Sequence, residues 1–217
     1  MRLLFLLLIY ILCQGFTVAE LGTIDKPYKR TSDVPRDSIA YGNDAIEKVK
    51  QMYGIDKLTL AQRRVIEEEG FVNAYYQDDK GIKTYGVGQT EKYFDTGFIG
   101  AFDAHAKVTK KYFNNFDMFD EKLQAELIQL SYRGDIQQSP TFRKYMNAKE
   151  YDKAAVELLK HDEYIARKAK GNDGVTRRLE KARDAILNYS KGQRLKLSSL
   201  GALDYTQSQK IMGDYFG

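Results

Sequence analysis

Carboxylates are the reactive groups this chain offers most plainly. It contains two histidines and one cysteine, and it has no glycine-rich phosphate loop, so metal, thiol and nucleotide chemistries are poorly supplied. His105 and His161 lie far apart in sequence with no partner at metal-binding spacing, and both read as surface or packing histidines. Glu69 stands out from Glu67 and Glu68 because it immediately precedes Gly70, where a helical pattern gives way to strand formers. Junctions of that kind form clefts. Burial in a cleft and the negative end of the helix dipole both disfavour the ionised form of a carboxyl, and so favour one that keeps its proton. A solvated acidic helix end explains the same three glutamates. Asp78 lies in the Asp78-Asp79-Lys80-Gly81 turn beyond Glu69, and two carboxylates on opposite faces of a sugar are what glycoside cleavage requires. Ordinary turn chemistry explains Asp78 equally well.

The wider stretch gives these carboxylates a context. Glu69-Gly70, then Tyr76 with Asp78 two residues on, Gly81 three further, and Thr84-Tyr85-Gly86-Val87-Gly88 follow one another without a gap. This segment resembles the catalytic signature of the phage-type (T4-like) lysozymes, which are glycoside hydrolase muramidases. The resemblance implies that Glu69 is the proton donor, Asp78 the second catalytic carboxylate, and Thr84 the hydroxyl that positions the attacking water. It also implies that Gly86 and Gly88 let the backbone lie close to a sugar chain, and that the reaction inverts the anomeric centre without metal or organic cofactor. The implied substrate is bacterial peptidoglycan, cut at the β-1,4 link between N-acetylmuramic acid and N-acetylglucosamine.

Looser similarity continues through Ser131–Asp135, Ser139–Thr141, Tyr151–Ala155 and Gly174–Arg178. The last stretch resembles a late arginine pair of the family. Arg177 is the closer match to the arginine that pairs with the catalytic glutamate, with Arg178 as the second choice. One departure follows Gly88, where Gln89 stands at a position commonly occupied by histidine; Gln89 can hydrogen-bond but cannot titrate. A non-catalytic peptidoglycan-binding module and a lytic transglycosylase are the alternatives, the latter needing Glu69 but not Asp78.

Several elements must position these groups. A capping-box pair, Thr59 and Gln62, opens a helix predicted over 59–69, which Gly70 closes. Tyr75, Tyr76, Ile82, Thr84, Tyr85 and Val87 predict a small hairpin region around the Asp-Asp-Lys-Gly turn. Helical periodicity then predicts helices over 98–113, 116–132, 140–147, 151–161 and 175–187. The fold class is therefore α+β and lysozyme-like, a small antiparallel sheet beside a larger helical body. The organisation expected is a signal peptide over 1–19, a lead-in segment with a short helix over 20–55, the lysozyme-type domain over 56–190, and a weakly patterned basic tail over 191–217.

The ends and the charge bound the setting. Arg2, the apolar run Leu3–Cys13 and small residues at Thr17-Val18-Ala19 read as a secretory signal, with a mature chain starting near Glu20. An uncleaved anchor is the rival, although the run falls short of the roughly 20 residues of a spanning helix. Cleavage predicts an extracytoplasmic, secreted monomer with neither a stable membrane anchor nor a cysteine. The net charge of +4 is spread over helices in which acidic and basic residues alternate, which is unlike the concentrated stripe of a nucleic-acid binder. No nucleic-acid partner is expected. Arg133-Gly134-Asp135 reproduces an integrin-binding tripeptide, but at a predicted helix end it reads as a stop signal.

Overall fold

The computed structural model describes residues 22–171 and 173–216; the signal expected over 1–19 lies outside the described residues. Helix α1 (Gly42–Tyr53) turns Ala45, Ile46 and Val49 inward, and helix α2 (Leu60–Glu69) buries Val65 and Ile66. The start of α2 is the capping box predicted from the sequence. Thr59 Oγ1 accepts from the Gln62 amide at 3.2 Å and Gln62 Oε1 accepts from the Thr59 amide at 2.9 Å, so two otherwise orphaned donors are satisfied reciprocally. The chain leaves α2 through Gly70 at φ +72°, where a Cβ would sit 2.9 Å from the Tyr41 ring and 3.0 Å from the Ala40 carbonyl oxygen. A side chain would be strained and crowded there.

Four antiparallel strands follow the order β1 (Ile39–Ala40), β2 (Phe71–Gln77), β3 (Lys83–Gly86), β4 (Gln89–Thr90). Val72 faces Gly86 and Tyr76 faces Thr84, with a register shift between Val72 and Tyr76. Such an irregularity bends a strand and re-aims its side chains, and here it falls next to Glu69.

The helical body contains α3 (Gly97–Tyr112), α4 (Glu121–Arg133), α5 (Pro140–Asn147), α6 (Tyr151–Leu158), α7 (Asp162–Lys168) and α8 (Gly174–Phe216). At its centre is α4, which buries Leu123, Leu127, Ile128 and Leu130 and contacts α2, α3 and α8. Asp120 caps it, accepting from the Leu123 amide at 2.8 Å. The architecture is thus α+β, with a small antiparallel sheet beside a larger helical body.

Three expectations need correction. The boundary between a lead-in and the domain at residue 55 has no counterpart in the packing: Ala40, Ala45, Ile46 and Val49 share one core with Leu127, Phe142 and Ile186. Residues 22–40 also join the sheet, since β1 pairs with β2 and the Tyr28 amide donates to the Tyr75 carbonyl at 2.9 Å. A two-residue strand is too short to show alternation, which hid it in the sequence. The helix expected over 116–132 is a 3₁₀ turn, Phe116–Met118, followed by α4. Finally, the helix expected over 175–187 does not stop before the weakly patterned tail: α8 runs 43 residues without a break, about 65 Å at 1.5 Å per residue.

Candidate active site

The C-terminal end of α2 carries two adjacent carboxyl groups in opposite electrostatic states. Glu69 is 19% exposed at its side chain, and its Oε1 accepts from Arg178 Nη1 at 3.0 Å and from Gln129 Nε2 at 3.4 Å. Burial raises its pKa, against the opposing positive charges of Arg178 and Arg133. Glu68 is also buried, which raises its pKa, but hydrogen bonds from Arg64 and Lys181 outweigh that and bring it down to about 2. Near neutral pH Glu68 is therefore a fixed anion, whereas Glu69 holds its proton to a higher pH than an ordinary glutamate.

Three helices set this arrangement. Arg64 of α2 reaches Glu126 of α4, with Nη2 3.1 Å from Oε2, and it also donates to Glu68 Oε1. From α8, Arg178 donates through Nε to Glu68 Oε2 at 3.0 Å and through Nη1 to Glu69, while its Nη2 donates to the Glu68 carbonyl. The pairing arginine is thus Arg178. The closer sequence match, Arg177, is exposed. Neighbouring helical residues differ by about 100° in direction, and the inward face of α8 is set by Thr176, Leu179, Ala182 and Ile186; of the two arginines, Arg178 flanks that face on the side of α2, as Lys181 does one turn on.

The sheet side is held locally. Asp78 Oδ1 accepts from the Lys80 amide at 2.9 Å and the Ile82 amide at 2.8 Å, while the Asp78 amide donates to the Ile82 carbonyl at 2.9 Å. One carboxylate oxygen is thereby committed to the turn, and no hydrogen bond from the described residues engages Oδ2. Thr84 is 4% exposed and its hydroxyl donates to the Ile82 carbonyl at 3.0 Å, so the oxygen retains lone pairs for a further donor.

Gln89 does not reach for Asp78. Its Oε1 accepts from the Val87 amide and its Nε2 donates to the Tyr53 hydroxyl at 3.1 Å. That hydroxyl also accepts from the Phe98 amide at 3.0 Å, and the Tyr132 hydroxyl donates to the Val87 carbonyl at 2.9 Å. Together these bonds fix the β3–β4 turn. Gly86, at φ +63°, lies against the Gln89 amide, and Gly88, at φ +71°, lies beside Glu69, where a Cβ would stand in ordinary contact 3.7 Å from Oε2. At Gly88 the left-handed backbone alone favours glycine, whereas at Gly86 the packed Gln89 side chain adds to it.

Tyr76 connects the two sides. Burial, then the charges of Glu69 and Asp78, push its phenol up to about 12, so its hydroxyl stays protonated within the field of both carboxylates. Burial and the charge of Glu69 push Tyr132 well above the usual range. Gln129, Tyr132 and Arg133 escaped the sequence reading as members of the site. Their spacing at i, i+3 and i+4 on α4 places them on one helix face, which is the signal that links them. Arg133 and Asp135 of the adhesion-like tripeptide pair with each other at 3.0 Å and are 16% and 11% exposed, so that surface is already occupied. A hollow of about 670 Å³ lined by Met118, Tyr151, Tyr189 and Arg194 contains none of these residues.

No protein-family model matches the chain, and no curated protein sequence matches it. Among solved structures, it is similar to the active form of the P1 phage endolysin Lyz, at 14% identity and a TM-score of 0.48, over 70% of this chain and 96% of that one.

Proposed function

We propose that this chain is a peptidoglycan hydrolase, an endo-acting muramidase that cleaves the β-1,4 link between N-acetylmuramic acid and N-acetylglucosamine. The observation that carries the reading is Glu69 itself: a carboxyl raised by burial at the helix–sheet junction, with glycine backbone against one of its oxygens. Glu69 donates its proton to the glycosidic oxygen as the bond to C1 breaks. A water adds to C1 from the opposite face. Asp78 takes the water's proton on Oδ2, the oxygen not committed to the turn, and the Thr84 oxygen accepts the water's other hydrogen and orients it. Inversion follows from that geometry. Gly86 and Gly88 keep the sugar-facing turn free of side chains, Gln89 braces it, and Arg178 holds the Glu69 carboxylate left after proton transfer.

The enzyme works without a cofactor, as a monomer on the extracytoplasmic wall, released from the membrane once its signal is cleaved. The test is product analysis on purified peptidoglycan. The expected wild-type product carries new reducing N-acetylmuramic acid ends of inverted configuration, and Asp78→Asn is expected to lower its release by about 10²–10⁴-fold. Anhydro-muramic products that persist in Asp78→Asn would make the chain a lytic transglycosylase. Wall binding without any cleavage by the wild type would make it a binding module.

A further inference from the structure

Glu68 is a largely buried carboxylate beside Glu69 that the proposed reaction does not use. Its carboxylate is 12% exposed and collects three cations: Arg64 and Lys181, the latter at 2.8 Å, on Oε1, and Arg178 at 3.0 Å on Oε2. Its backbone carbonyl takes a further bond from Arg178. A pin for one arginine needs less than this.

The geometry points to Glu68 as a positioning residue that sets the protonation of Glu69 by holding Arg178 and balancing its charge. This rests on the reading of Glu69 as the general acid. An unopposed arginine 3 Å from a carboxylate favours the ionised form and lowers its pKa by about 1–3 units, which would deprive a general acid of its proton. Arg178 is not unopposed. Its Nε and Nη2 are both on Glu68, and only Nη1 reaches Glu69. The anion of Glu68, one residue away, offsets the cation at the point where Glu69 feels it.

The other groups around Glu69 leave this balance in place. From α4, Arg133 brings a second positive charge that lowers the Glu69 pKa, and it is shared with Asp135 at 3.0 Å and Glu163 at 3.6 Å. Also from α4, Gln129 is uncharged and Tyr132 stays protonated, as does Tyr76 from β2. Lys181 of α8 acts on Glu68, its Nζ 2.8 Å from Oε1, and so draws on the same negative charge. Glu68 is therefore the negative charge closest to the Arg178–Glu69 pair; burial is the largest influence on Glu69, and the anion of Glu68 adds to it against the two arginines.

The experiment follows the Glu69 carboxyl directly. In full-length protein labelled with carboxyl-¹³C glutamate, the resonance lost in Glu69→Gln is titrated by NMR, alongside the alkaline limb of wall lysis. Glu68→Gln is expected to move both down by about one pH unit, a tenfold loss of the protonated form beyond the limb. Charge-conserving Glu68→Asp is expected to leave both near the wild-type position. If Glu68→Gln lowers the melting temperature yet leaves the titration in place, Glu68 is only a structural pin and the proposal is overturned. Should Glu68→Gln fail to fold, Lys181→Met supplies the second readout: removal of one cation is expected to move the Glu69 titration up, and a downward move or none contradicts the proposal. A wild type that lyses no wall overturns the hydrolase reading, whereas the carboxyl titration reports on Glu68 whether or not lysis occurs.

Discussion

The two carboxylates proposed to carry the chemistry are held in contrasting ways. Glu69 depends on α2, α4 and α8, through Gln129 and an arginine more than one hundred residues away in sequence. Asp78 depends on its own hairpin, through amides two and four residues further on. A group whose proton must be retained is surrounded by distant elements that control burial and charge. A group that needs only to be ionised and correctly placed can be fixed by a turn. Tuning is non-local here, and placement is local.

The comparison can be broken most forcefully on the sheet side. Asp78→Asn is expected to lower wall hydrolysis by about 10²–10⁴-fold, the range of general acid–base contributions, while Asp79→Asn, at an exposed position of the same turn, is expected to leave it within about twofold of wild type, since surface changes away from special features have small effects. Equal losses in the two would show that the turn matters and the Asp78 carboxylate does not.

On the helical side the sharper pair is Arg178 and Arg177. Arg178→Met removes a partner from both glutamates and is expected to cost about 1–3 kcal/mol of stability, less than a fully buried pair because some solvent reaches it. Arg177→Met is expected to stay within about 0.5 kcal/mol. Urea unfolding of the two variants measures the difference, and the reverse order would contradict the assignment of the pairing arginine. A smaller effect belongs to the start of α2, where Thr59→Ala removes a capping box and is expected to cost about 1 kcal/mol.

Glu68, lowered from 4.5 to about 2, adds stability that is present above pH 4.5 and lost as pH falls toward 2. Glu69 has a folded pKa above 4.5, so the folded state binds its proton more tightly and stability is lost as pH rises from 4.5 through that raised value. Glu69→Gln should therefore melt higher than wild type at neutral pH, with the advantage shrinking on acidification. A melting temperature below wild type at neutral pH would mean that the ion pair with Arg178 outweighs burial.

Which parts were legible in the sequence follows the same division between local and distant causes. The capping box at Thr59 and Gln62, the stop at Gly70 and the turn at Asp78 are written in residues a few positions apart, and each appears where expected. Helix α7 was missed because it buries none of its residues and so has no apolar period to detect. The choice between Arg177 and Arg178 needed the rotation of α8 against α2, which adjacent identical residues do not disclose. Gln89 illustrates the intermediate case. Its amide was recognisable as a hydrogen-bonding group, but that its partners are Val87 and Tyr53 depends on α1 packing against the sheet.

The most direct measurement is the release of reducing N-acetylmuramic acid ends from purified peptidoglycan by wild type and by Glu69→Gln, with folding of both checked by their melting temperatures. The account predicts turnover by the wild type and a loss of about 10²–10⁴-fold in a fully folded Glu69→Gln. Undiminished release by that variant would contradict it.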